Sequence, residues 1–317
     1  MSTDPRTDSS PSMRGRRVLV AGATGYLGRH LVDALVGAGC RVRVLVRRRE
    51  QAVDFPSGVD VFVGQVTESA TLSGATDGVD VVFSALGITR QRDGVTYMDV
   101  DYRGNLALLR LAESTGVSRF VYVPVLHGPD LRKTVRLVSA KEKFVDALTA
   151  SPVSSVVVRP TGYFSDMGEF LTMAGRGAVY VFGGGHLSIN PISGRDVAAA
   201  CLRAADSNAT DVPVGGPDVL TYEAIARAAF AAHRMPPRIR HIPRGLIVAV
   251  ARALAWCTPE HVYGPLQFLT AVMTREMTAP PSGSDHLADY FARQVAGTGK
   301  STPGHGAPAA GQVRSSA

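Results

Sequence analysis

Three glycines, Gly22, Gly25 and Gly28, stand between the apolar run VLVA and a segment whose Leu27, Leu31 and Leu35 recur every four residues. Glycine permits tight turning and close approach of other groups, so this spacing suits a loop that wraps a phosphate. A helix beginning directly after such a loop offers that phosphate its free amides and positive dipole end. Thr24, Tyr26 and Leu27 lie in the same turn. Farther on, Arg47, Arg48 and Arg49 follow a second apolar run, and a guanidinium pairs with phosphate through its planar fork. Gln65 offers an amide, and Ala85, Leu86 and Gly87 offer small or apolar surface. His127, Lys141 and Tyr163 are the groups able to move a proton or to stabilise a developing oxyanion.

Residues 17–49 read as strand, glycine turn, amphipathic helix and second strand, the opening of a dinucleotide-binding βαβ unit. In that setting Gly22 allows the turn off the strand, Gly25 admits a pyrophosphate and Gly28 lets the helix lie close to the sheet. The second strand ends where an adenosine ribose belongs. An NAD-selective unit places an acid there, whereas this chain has Arg47 and Arg48, which suit a 2'-phosphate. The cofactor expected is therefore NADP(H), with NAD(H) as the alternative.

Further strands are expected at 59–63, 79–84, 119–123 and 154–158, with helices at 72–77, 95–114 and 131–148 between them. Return to a strand after each helical segment implies a doubly wound, mainly parallel Rossmann-type α/β sheet. A smaller C-terminal substrate-side region follows, with short strands at 179–182 and 211–214. Its helices are expected at 196–205, 221–233, 244–255, 265–277 and 286–293. The domain reading is a polar segment 1–14, an NAD(P)-binding core 15–164, a substrate-side region 165–294 and a low-complexity tail 295–317. Because open sheets build sites at one edge, Leu86, His127, Lys141, Thr161 and Tyr163 should be neighbours of the ligand.

The chain has 317 residues and a formal charge of +7. No zinc-finger spacing or basic aromatic repeat accompanies that charge, so no nucleic-acid partner is expected. Cys40, Cys201 and Cys257 are widely separated and read as reduced, with no metal site. The opening lacks an apolar export segment, and the apolar stretch 245–257 is too short for a membrane span and contains Arg252. A cytoplasmic location is expected, and both a monomer and a homodimer fit.

GATGYLG at 22–28, the arginines after the second strand, DVVFSALG at 80–87, GVSRFVYV at 116–123, Lys141 and VVRPTGYF at 157–164 together resemble the atypical, extended short-chain dehydrogenase/reductases. The nearest group is the NmrA-like and complex-I-subunit-like branch. The resemblance covers residues 15–294, including GRDVAAACLRA at 194–204 and LADYF at 287–291. It implies cofactor contacts from Gly22, Thr24, Gly25, Tyr26, Leu27, Gly28, Arg47, Arg48, Gln65, Ala85, Leu86, Gly87 and Lys141. Two departures stand out. Gln65 occupies a position where an acid is common, and Leu137 stands four residues before Lys141, where many members carry a catalytic tyrosine.

Lys141, with His127 or Tyr163 as proton donor, is therefore the expected catalytic group. The function expected is an NADPH-dependent oxidoreductase reducing a carbonyl or conjugated double bond of an apolar small molecule. Tyr163, Phe164, Met167, Phe170 and Met173 are expected to form its apolar wall. The alternative is a non-catalytic NAD(P)-binding sensor, regulatory or assembly protein, motivated by Leu137.

Overall fold

The computed structural model describes residues 13–89, 91 and 94–298, so most of segment 1–14 and the end of the tail lie outside the described residues. Six strands alternate with helical segments through the first half. They are β1 (Arg17–Ala21), β2 (Arg41–Val46), β3 (Asp60–Val63), β4 (Val81–Ser84), β5 (Arg119–Tyr122) and β6 (Ser154–Pro160). The helices between them are α1 (Tyr26–Gly37), α2 (Asn105–Thr115), α3 (Gly128–Leu131) and α4 (Arg136–Thr149). The second half comprises α5 (Phe164–Gly175), β7 (Val179–Phe182), β8 (Ser188–Ile189), α6 (Gly194–Ala205), β9 (Asp211–Val214), β10 (Leu220–Thr221), α7 (Tyr222–Ala232), β11 (Ile239–Ile242), α8 (Arg244–Cys257), α9 (Glu260–Met273) and α10 (Leu287–Thr298).

Seven strands form one parallel sheet in the order β3-β2-β1-β4-β5-β6-β9. The direction of winding reverses between β1 and β4, and an open α/β sheet leaves its ligand crevice outside the strand ends at such a point. β1 shows why the sheet needs helices on both faces. Val18 and Val20 pack with Leu31, Leu35, Val197 and Cys201 on one side. Leu19 and Ala21 pack with Leu108, Leu109, Phe144 and Leu148 on the other. Alternation with a period of two thus sends one apolar strand into two cores.

Three helical expectations in the first half are modified. Residues 95–114 fold as a π-helical turn, Met98–Gly104, followed by α2. Residues 131–148 are divided between α3 and α4 because β-branched Val135 is extended, with φ −124° and ψ 115°. Residues 72–77, expected as a helix, are the last residue of a short 3-10 helix at Ser69–Leu72 followed by turns. Strands β8 and β10 pair antiparallel over two residues, too few to leave a periodic signal.

The expected apolar substrate wall is also corrected. Phe164, Met167 and Phe170 are 1%, 7% and 4% exposed. They fill a second core with Ile225, Phe230 and Phe291. The requirement to bury α5 against α7 and α10 uses these side chains as packing.

Candidate cofactor and catalytic site

β1 passes into α1 through the glycine turn, whose geometry leaves no room for side chains. Gly22 has φ 79°, and a Cβ there would lie 2.8 Å from the Ala85 carbonyl oxygen. A Cβ on Gly28 would lie 2.0 Å from the Gly22 carbonyl oxygen. Gly25 caps α1, donates its N–H to the Gly22 carbonyl at 3.0 Å and brings no side chain to the first turn. That turn carries no acid, so its amides and dipole face the crevice without a competing negative charge. Gly28→Ala should lose about 1–3 kcal/mol of stability through forced backbone displacement. Denaturant titration and NADPH binding would check it, with Gly37→Ala, where a Cβ meets nothing within 4 Å, as the control.

The side chains of Tyr26 and Leu27 serve packing. Leu27 lies in the first core. The Tyr26 hydroxyl accepts the Gly194 N–H at 3.1 Å, and its ring meets Tyr163 edge-on at 5.5 Å. Burial pushes the Tyr26 phenol up, and the Gly194 hydrogen bond opposes that shift. Arg47 and Arg48 are exposed just past β2, and both their backbone amides donate to Gln51 Oε1 at 3.1 Å. Gln65 is half-buried; its Nε2 donates to Glu68 Oε1 at 2.7 Å and its backbone N–H to Thr71 Oγ1 at 2.8 Å.

Beyond β4 the site gains a buried ion pair. Lys141 Nζ lies 2.7 Å from Asp101 Oδ1, with the two side chains 13% and 0% exposed. A Cβ on Gly87 would lie 2.5 Å from Lys141 Nζ and 2.6 Å from Asp101 Oδ1. The missing side chain at Gly87 therefore keeps this pair beside the strand end. Asp101 Oδ2 accepts the Ile88 N–H at 3.2 Å. Asn105 Nδ2 donates to the Asp101 carbonyl at 3.0 Å, and Asn105 Oδ1 accepts the Ser84 hydroxyl at 2.5 Å. These bonds tie the end of β4, the π-helical turn and α4 into one unit. Burial pushes the Asp101 carboxyl up, while the Lys141 ammonium opposes the shift.

A second buried pair sets α4 against β6. Arg159 donates to both Glu142 carboxylate oxygens, at 2.7 and 3.3 Å, and to Asp211 Oδ2 at 2.7 Å. Gly128 lies against it, since a Cβ there would be 1.9 Å from Glu142 Oε1. Glu142 follows Lys141 directly, so this contact fixes the helix on which the lysine sits.

The structure brings some of the expected site residues together and leaves others apart. Gly22 and Ala85 adjoin each other, as do Gly87 and Lys141, along the strand ends. Tyr163 pairs with Tyr26, and burial raises its phenol well above the ordinary range. His127 has φ 56°, is half-exposed, and places Nδ1 3.5 Å from Asp130 Oδ2. Thr161 donates its hydroxyl to the Asn190 carbonyl at 2.6 Å. Leu137 is 2% exposed and packs with Tyr97 and Val138. Sequence reasoning missed Asp101, Asn105 and the Glu142–Arg159 pair. The available signal was two polar residues, four apart, on the helix face that also carries Leu108 and Leu109.

Two surface cavities of about 300 and 510 Å³ lie elsewhere, the first around Gly183 to Leu187 and the second between Val66 and Leu106. Neither is lined by Lys141, His127 or Tyr163. Among the described residues, no group of His, Cys, Asp and Glu could hold a metal ion.

The NAD(P)H-binding family model matches residues 22–208, more than half of the chain. The chain belongs to that family. Its cofactor class is accordingly NADP(H) or NAD(H), and the glycine turn and the α1 N-terminus, which has no side-chain cap, fit a dinucleotide. The chain is 31% identical over 221 residues to the chloroplastic divinyl chlorophyllide a 8-vinyl-reductase of Zea mays, covering 63% of this chain and 55% of that protein. It is 33% identical over 132 residues to the photosystem II assembly factor Ycf39 of Synechocystis, covering 41% of this chain and 40% of that one. These matches therefore span about half of each relative. In fold, it superposes on an NADPH-dependent quinone oxidoreductase of Escherichia coli bound to NADPH with a TM-score of 0.70. That match has 16% identity and covers 88% of this chain and 99% of the other. The fold is that of the extended, atypical NAD(P)-binding oxidoreductases.

These relatives correct the cytoplasmic expectation. Those whose names state a compartment are chloroplastic, from maize, Arabidopsis, cucumber and rice, or mitochondrial, from Arabidopsis. The folded core they share is the same in any compartment, so its residues carry no address. Among the described residues, no helix is long and apolar enough to cross a membrane.

Proposed function

We propose that this protein is an NADPH-dependent reductase of a carbonyl or conjugated double bond on an apolar small molecule. The observation that carries the reading is the Lys141–Asp101 pair held against Gly87 at the reversal point of the sheet. The nicotinamide, when bound, supplies the hydride. The first turn of α1 and the glycines Gly22, Gly25 and Gly28 hold the pyrophosphate, and Gly87 leaves space for the ribose side. Lys141 lies beside that space with the carboxylate of Asp101 2.7 Å away as its counter-charge in a buried site. Its ammonium can hold a ribose hydroxyl, stabilise a developing negative oxygen, or donate a proton. Leu137 has no proton to give, whereas the Lys141 ammonium lies against Gly87 just past the end of β4. The names of the vinyl-reductase and quinone-oxidoreductase relatives support the substrate class. Oxidation of NADPH with a panel of quinones, enones and ketones tests the reading.

Selectivity for NADPH rests on Arg47 and Arg48. Arg47→Ala or Arg48→Ala is expected to weaken NADPH by about 1.5–3 kcal/mol, about tenfold to a hundredfold. NADH affinity should stay unchanged, because it has no 2'-phosphate to lose. Equal titration curves for the two cofactors in the unaltered protein would remove the argument.

A second reading, a non-catalytic NAD(P)-binding regulatory or assembly protein, is favoured by buried Leu137, which stands where a proton-donating tyrosine would be expected. Tight NADPH binding with no turnover across the panel would favour it.

A further inference from the structure

A surface on the C-terminal side of the chain has the properties of a lipid-facing element. Helix α8 contains no buried residue and packs along α9. Its inward side, Ile247, Val248, Ala251 and Leu254, is half-buried. Its outward side is Leu246, Ala249, Val250, Ala253, Trp256 and Cys257, all exposed. These positions recur at three- and four-residue spacing and form one continuous stripe along the helix. Leu246 is 56% exposed, Val250 42% and Trp256 92%. An amphipathic helix ordinarily turns its polar side to water, so an apolar stripe here marks a surface that meets another phase.

The charge around the stripe selects that phase. Residues 224–259 contain six arginines and no aspartate or glutamate. Five of them, Arg234, Arg238, Arg240, Arg244 and Arg252, are exposed. Among the described residues none of these five forms an ion pair. Four of them precede or open α8 on the loop and strand leading into it, and Arg252 lies within it. Unpaired arginines around an apolar stripe complement an anionic headgroup layer, and tryptophan favours the boundary between that layer and the acyl chains. With 14 residues, α8 is about 21 Å long, too short to cross a bilayer and suited to lie in its plane.

We propose that α8 docks this protein on the surface of an anionic lipid bilayer, with Leu246, Val250 and Trp256 entering the acyl boundary and the arginines pairing with headgroup phosphates. The surface is joined to the site through α9. Gln267 Oε1 accepts the N–H of Arg136, the first residue of α4, at 3.1 Å, and Gly264 lies against Tyr97. Docking would therefore hold the helix of Lys141 close to the membrane plane. The proposal stands whether or not the reductase reading does.

Trp256 is the sole tryptophan, so its fluorescence reports directly on the proposed contact. Full-length protein is mixed at low salt with vesicles of phosphatidylcholine alone and of phosphatidylcholine with phosphatidylglycerol. With the anionic vesicles, Trp256 emission should shift to the blue, be quenched by brominated acyl chains, and co-float with lipid; neutral vesicles should give none of these. Leu246→Glu with Val250→Glu should abolish co-flotation. Arg240→Gln with Arg244→Gln should lower partitioning about thirtyfold. Thermal stability and NADPH binding should be unchanged in both, because no buried side chain is altered. Unchanged Trp256 emission in anionic vesicles overturns the proposal, and so does equal binding to neutral ones. Blue emission before lipid is added also overturns it: with a concentration-dependent mass it assigns the stripe to a second copy, and at constant monomer mass to another segment of this chain.

Discussion

Lys141→Met should lower turnover on an identified substrate by about a hundredfold to ten-thousandfold while NADPH affinity changes less than about tenfold. Methionine keeps most of the apolar stem and removes only the charge. If the ammonium stabilises charge that develops during reduction, its loss falls on the transition state rather than on the bound cofactor. The same substitution leaves Asp101 fully buried without its cation, which adds a stability effect that must be separated from the chemical one. Asp101 already has its carboxyl pushed up by burial, with Lys141 opposing. Without the lysine the folded-state value rises further, so the folded protein binds more protons than the unfolded chain. Stability then falls as pH rises above the unfolded aspartate value of about 3.9. The variant's deficit in Tm should be largest at neutral pH and shrink on acidification toward that value. Adding Asp101→Asn should restore stability at neutral pH without restoring turnover. A double variant that regains turnover would show Lys141 to be structural, and full turnover in Lys141→Met would end the catalytic assignment.

Arg159→Met is expected to be the most destabilising single change, by about 3–5 kcal/mol. The guanidinium is 7% exposed and serves Glu142, 2% exposed, together with Asp211. Asp211 is half-exposed and can turn to water, but Glu142 is enclosed by Gly128 and α4 and would keep an unpaired charge. The cost comes chiefly from that stranded carboxylate, so Arg159→Met with Glu142→Gln should recover most of the loss. Urea unfolding of the two single variants and the double variant measures the coupling. Additive losses would contradict the account. Because Glu142 neighbours Lys141 on α4, the single variant should also lose turnover in conditions where it remains folded.

The parallel core was legible because its signals are local. The run VLVA, the three glycines and the four-residue repeat of Leu27, Leu31 and Leu35 specify a strand, a tight turn and a helix within one short stretch. The same is true of β7 and β9, whose expected and observed limits coincide. The NAD(P)-binding fold follows from such repeats, since strands apolar on both sides need helices on both faces.

Only the tertiary structure decided which polar residues share a site. Asp101 meets Lys141, and Glu142 meets Arg159, across separations in the chain that no period encodes. The sequence identified Lys141 as a charge on the helix after β5 that should neighbour the ligand, but its buried partner came from a π-helical turn that reads as ordinary helix. Phe164, Met167 and Phe170 show the converse: composition alone does not distinguish a substrate wall from a core, and the docking of α5 on α7 and α10 made them core. Helix α8 was recognised by its apolar run, yet its outward orientation depends on how α9 packs beside it. Local pattern therefore determined the elements and their order, whereas burial, which belongs to the assembled molecule, determined which charges must pair and which apolar faces remain outside.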